Sequence, residues 1–268
     1  MKTILIITVL CLLLNLLVSA QKSDTTTGRQ VGDTVKSQAS IDSVIQKSLT
    51  TQEFQDYRAW VALGIGGLPH TLEGYRTVKK MGMAMKDPLD VDRVSPYIGK
   101  NGDLASLQPL PKRPGTKPSI APFAVPHRQT DQHNTGQIRK KQTELFDAAV
   151  QGSHGQLMYR NSYLEKHSPG IFLADPTKGN QTVVSLSHAE IGHIHAFDGS
   201  MHLILSPSDT KEVIEKGWGE LHGLANGEGM VARTYMLIYS PRDQQELAIT
   251  SQILDAAIQY SSYPAKQN

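Results

Sequence analysis

Eight prolines stand between Asp87 and His127: Pro88, Pro96, Pro109, Pro111, Pro114, Pro118, Pro122 and Pro126. Each fixes its own φ and removes a backbone donor, so no regular helix or strand can run through this stretch. It is either a linker between domains or an extended arm laid on a core. The apolar side chains of "PSIAPFAVP" favour the arm.

Ahead of the arm the pattern is helical. Ile41, Val44, Ile45 and Leu49 make one apolar face, at the spacing of a short helix. A second helix is predicted over "TTQEFQDYRAWVAL", where Thr50 and Glu53 have capping-box spacing. It stops at "GIGGLP", whose glycines follow a helix and read as its terminator rather than as a phosphate loop. Thr71 opens a third helix through Lys86, with Leu72, Tyr75, Val78, Met81 and Met85 at helical spacing.

The first twenty residues, "MKTILIITVLCLLLNLLVSA", have a basic start, an apolar run and a small-residue end. That is the pattern of a secretory signal, with cleavage expected after Ala20. The alternative is an uncleaved membrane anchor, although the run is shorter than the roughly 20 apolar residues of a span. The mature chain is therefore expected to be secreted and to have no membrane span. Cys11 is the only cysteine, so the mature chain has neither a disulfide nor a thiol nucleophile. Residues 21–39 are polar and read as a flexible leader. Lysine plus arginine is 27 against 25 acidic residues, without a block of like charge, which argues against a nucleic-acid partner. "NQT" makes Asn180 a glycosylation acceptor.

Residues 136–151 resume a helical pattern, and from Gly152 the signal changes. "GIFLA", "TVVSLS", "EIGHIHAF", "SMHLIL" and "TYMLIY" read as strands. Two of them run into Ser-Pro-x-Asp, with Ser206 or Ser240 as N-cap, proline at the first helical position and aspartate closing a capping box. An amphipathic helix follows each, the first ending at Gly217. The expected class is α+β: an antiparallel-rich sheet with helices packed on one face, a helical N-terminal part and the proline-rich arm.

Three of the ten histidines gather in "HIHAFDGSMH". Asp198-Gly199 is a strong hairpin signal, and a two-residue loop there sets His195 opposite His202, with His193 on the same face. Such a face has three uses: a metal site with open positions, acid/base chemistry near neutral pH, or a hydrogen-bonded polar sheet surface. "GWGELHGLA" adds Trp218, Glu220 and His222. Trp218 either plugs the core or walls a pocket for a flat ligand into which His222 points. "HAEIGH" has its histidines five apart, which is not the spacing of a zinc-protease helix.

"AEIGHIHAFDGSMHLIL", "KEVIEKGWGELHGLA" and "YMLIYSPRDQQEL" closely resemble the fungal luciferase family. So do "LPKRPGTKPSIAP" followed by "HRQ", and "SYLEKH" before "IFL", so that the resemblance runs from about Gly64 to Tyr260. It implies one compact domain with the arm inside the fold, and oxidation of a hydroxypyrone-type substrate by molecular oxygen without an added organic cofactor or metal. The histidines that match the family's pattern are His193, His195, His202 and His222.

The boundaries expected are a signal (1–20), a leader (21–39), N-terminal helices and arm (40–127) and a luciferase-like α+β domain (128–263). The function expected is oxygenase-like action on a small enolic or phenolic metabolite. His195 and His202 would be the acid/base pair, His193 a support, and Trp218, Glu220 and Glu190 substrate-binding groups beside His222. Ligation of a metal by His193, His195 and His202 is the alternative, as is a non-catalytic binding protein.

Overall fold

The computed structural model describes residues 38–100, 102–229 and 231–263. The expected signal with Cys11, and nearly all of the leader, lie outside them. No helix among the described residues is long and apolar enough to cross a membrane. The chain divides into two compact units between Asp56 and Tyr57. The first holds α1 (Gln38–Gln46) and the opening of α2 (Thr51–Ala62). There the capping box forms: the Thr50 N–H donates to the Glu53 carboxylate at 2.9 Å, and the Glu53 N–H to Thr50 Oγ1 at 3.2 Å.

The second unit is α+β. Its elements are α3 (Leu72–Gly82), α4 (Gly136–Gly152), β1 (Leu157–Asn161), β2 (Pro169–Leu173), α5 (Gln181–Ser187), β3 (Glu190–Ile194) and β4 (Met201–Ile204). Then come α6 (Pro207–Glu215), β5 (Gly219–Leu221), β6 (Tyr235–Ile238) and α7 (Gln244–Ser262). The strands form one antiparallel sheet in the order β1-β2-β3-β4-β6-β5. α7 packs on β3 and β4, α4 on β1 and α7, and α6 on β5.

Register decides which side chains share a face. One cross-strand row runs Gly170, His193, His202, Leu237, Glu220. The next runs Ile171, Gly192, Leu203, Met236, Leu221, and side-chain alternation turns it to the opposite face. That apolar row joins Ile253, Leu254 and Ala257 of α7 in the core. At Gly192 an added Cβ would meet the His202 carbonyl at 2.2 Å, so only glycine lets β3 and β4 close here.

The backbone of the arm is bound to the connection between α6 and β5. The Arg113 N–H donates to the Lys216 carbonyl at 2.8 Å, and Trp218 Nε1 to the Pro111 carbonyl at 2.7 Å. Asp209, expected to close the capping box of α6, instead accepts from the Ser106 and Leu107 N–H groups at 3.1 and 3.0 Å. Ser206 caps that helix as expected.

Three other expectations are corrected. "TVVSLS" is the helix α5: Asn180 Oδ1 accepts from the Thr182 N–H, Val183 and Ser187 are buried one turn apart, and His188 and Ala189 end it at positive φ. The cap and the four-residue spacing outweigh the strand preference of two valines. α7 is capped by Asp243, not Ser240, whose hydroxyl accepts from the Asn134 N–H. α3 ends at Gly82 rather than Lys86, and the Lys86 N–H donates to the Gly223 carbonyl.

Candidate functional site

The turn that joins β3 to β4 is wider than a two-residue hairpin. His193 pairs with His202, and His195 closes the turn with its N–H on the Ser200 carbonyl at 2.8 Å. Of Asp198 and Gly199 only the glycine has positive φ, whereas a type I′ turn needs both. The Asp198 carboxylate is held locally by the Ser200 N–H and hydroxyl. The register therefore shifts by two residues from the expected one. A shift of two preserves the face, so His193, His195 and His202 still converge.

One ring nitrogen from each of these three lies within 4.8 Å of the others. His193 and His195 are each 1% exposed and His202 4%. Their tautomers follow from their partners. His193 Nδ1 lies 2.6 Å from Glu190 Oε1, a carboxylate that also accepts from the Ser162 hydroxyl and the Tyr163 N–H. His195 Nδ1 lies 2.9 Å from Ser200 Oγ, whose own proton goes to Asp198. His202 Nδ1 lies 2.8 Å from the Met236 carbonyl. Each partner accepts, so all three Nδ1 atoms carry a proton, which in a neutral ring leaves the lone pair on Nε2.

Burial pushes the His202 pKa well below the ordinary imidazole value, and the surrounding rings add to this. Burial also lowers that of His195, against the opposing pull of Asp198. Burial alone would raise the Glu190 carboxyl, but His193, Ser162 and the Tyr163 N–H hold it below its usual value. His195 and His202 are thus held as neutral electron-pair donors, and Glu190 as an ionised acceptor.

Two more histidines complete the cluster. His222 Nδ1 accepts from the Leu224 N–H at 3.1 Å and its ring donates to the Ala124 carbonyl, so both nitrogens are occupied. His127, on the arm, is a functional candidate that motif reading missed; its only signal was its place in "HRQ". Its ring centroid is 5.4 Å from that of His202 and 5.0 Å from that of His222. His127 Nε2 meets Glu220 Oε1 at 3.2 Å, and its Nδ1 is buried without a partner among the described residues. Tyr235 stacks on His202 with 4.4 Å between centroids.

Glu190 and Glu220, expected to bind substrate, are each 1% exposed and fully engaged within the protein. Glu220 meets His127, Lys117 and the Tyr239 hydroxyl. Trp218 is buried in the core, against the arm, with the Arg113 guanidinium 6.0 Å from its ring. Asn180 is 1% exposed and donates to the Tyr260 carbonyl, so in the folded chain its amide is not presented to solvent.

Residues 188–257 match the Luciferase domain family. Curated relatives include proteins named luciferase from Neonothopanus nambi, Armillaria ostoyae and Armillaria mellea. Each is 28% identical over 225 residues, which is 77% of this chain and 80% of the relative. No solved structure matches. The resemblance to the fungal luciferase family is thereby borne out.

Proposed function

We propose that this luciferase-domain chain is a secreted, oxygenase-like enzyme that oxidises a small enolic or phenolic metabolite of the hydroxypyrone kind with molecular oxygen. The observation that carries the reading is the set of three buried imidazoles, His193, His195 and His202, with one ring nitrogen of each gathered at one point. Electron-pair donors placed there favour loss of the enol proton, directly or through what the rings bind. The resulting enolate is electron-rich enough to reduce oxygen. His222 lies beside His202, and the relatives named luciferase support an oxygen-dependent reaction.

An oxygen electrode tests this, with the full chain and a panel of hydroxypyrones and catechols. At least one is expected to be consumed together with oxygen. A protein that binds members of the panel but takes up no oxygen with any is a binding protein, and the reading fails. Sequencing the N-terminus of the protein recovered from culture medium tests secretion, with residue 21 expected first.

A further inference from the structure

We infer that His193, His195 and His202 bind a divalent first-row transition ion through their Nε2 atoms, and that His127 and His222 stay outside the ligand set. The site deepens the oxygenase-like reading by giving it a resident cofactor, and rests on that reading only for the use of the ion. It replaces the expectation of metal-free chemistry with a specific rival.

Three ring nitrogens that each offer a lone pair within 4.8 Å of one another repel. His193 Nε2 is buried and has no hydrogen-bond partner among the described residues, a costly state for a polar atom if nothing fills it. A water molecule has two protons for three lone pairs, whereas a cation satisfies all of them. The spacing suits a small ion. Nitrogens at the corners of a triangle of side 4.8 Å sit at most about 2.8 Å from a common centre, so a contraction of roughly 0.7 Å reaches the 2.0–2.1 Å of a metal–imidazole bond.

The supporting shell is of the kind that metal-ligating histidines use, each donating its other N–H to a fixed acceptor. For His193 this is Glu190, for His195 the Ser200–Asp198 pair, and for His202 the Met236 carbonyl. Imidazole nitrogen donors suit zinc, copper, iron or nickel rather than magnesium or calcium. Three ligands leave positions open for substrate or oxygen.

The other two rings are excluded for separate reasons. His222 has no free nitrogen. His127 turns Nε2 to Glu220, and none of its atoms belongs to the group of nitrogens within 4.8 Å of one another.

The experiment is metal titration of the full chain after exhaustive chelation, with Co²⁺ as the spectroscopic probe and elemental analysis of untreated protein beside it. One equivalent of Co²⁺ is expected to give a visible band of a cobalt–imidazole site. His193→Gln, His195→Gln and His202→Gln should each weaken binding at least 100-fold, while His222→Gln leaves it within about threefold, since outer partners alone account for about 10–100-fold. Should those variants not fold, the wild-type melting temperature must still rise with Co²⁺ concentration, because only the native state holds the site. Absence of saturable binding, or loss of binding on His222→Gln with retention in the other three, overturns the ligand set. Undiminished oxygen uptake by chelated protein overturns the ion as cofactor. A metal-loaded protein that consumes no oxygen refutes the enzyme reading and leaves the site standing.

Discussion

Glu190→Gln separates the tautomer argument from simple loss of packing. In the native chain Glu190 accepts four hydrogen bonds: from His193 Nδ1 at 2.6 Å, Ser162 Oγ at 2.8 Å, and the Tyr163 and Leu164 N–H groups at 2.8 and 3.3 Å. A glutamine of the same shape has one oxygen, which the two backbone N–H groups claim. Its amide nitrogen then faces His193 Nδ1 and donates to it. The proton of His193 moves to Nε2, and an N–H replaces the lone pair at the centre. Replacing charge-assisted bonds by neutral ones costs about 3 kcal/mol, or a melting temperature lower by roughly 6–12 °C for a domain of this size. Metal affinity and turnover should fall by about 10–100-fold. Imidazole ¹⁵N NMR of the metal-free protein reads the tautomer, with Nδ1 protonated in the wild type and Nε2 in the variant. A wild-type His193 protonated at Nε2, or a variant with an unchanged tautomer and unchanged metal affinity, refutes the reasoning.

Three further outcomes are expected. Asp209→Ala strands the Ser106 and Leu107 N–H groups. It should cost about 2–4 kcal/mol and open the Lys112–Arg113 region to trypsin, read by limited proteolysis. Glu246→Ala leaves the buried Arg113 guanidinium, 3.1 Å from the lost carboxylate, without its counter-ion, and should lower unfolding free energy by about 3–5 kcal/mol in a denaturant titration. Burial, with His127 next, holds His222 well below its ordinary 6.5, so the unfolded chain binds its proton first. The stability present above pH 6.5 is therefore lost as pH falls through the range below it, at about 1.4 kcal/mol per pH unit for this ring. His222→Gln should flatten the pH dependence of urea unfolding between pH 7 and 5 by that amount, and an unchanged slope contradicts it.

The sequence carries the helices well, because their signals are local. Thr50 with Glu53, Thr71, and Ser206 with Pro207 each mark a start that the structure keeps. The convergence of His193, His195 and His202 was also legible, since side-chain alternation survives a register error of two. What failed depended on distant partners. Asp198 looked like a turn residue, but its carboxylate is taken by Ser200 and by the Gln129 N–H, 69 residues away. Asp209 is drawn to the arm in the same way. β5, three residues long, exists because β6 supplies its ladder. His127 had only "HRQ" around it, and the course of the arm brings it beside His202.

Oxygen consumption with an accepted hydroxypyrone, wild type against a folded His202→Gln, tests the central claim most directly. The account predicts a fall of about 10²–10⁴-fold in turnover in a variant whose circular dichroism matches the wild type. Equal turnover by the two proteins would contradict it.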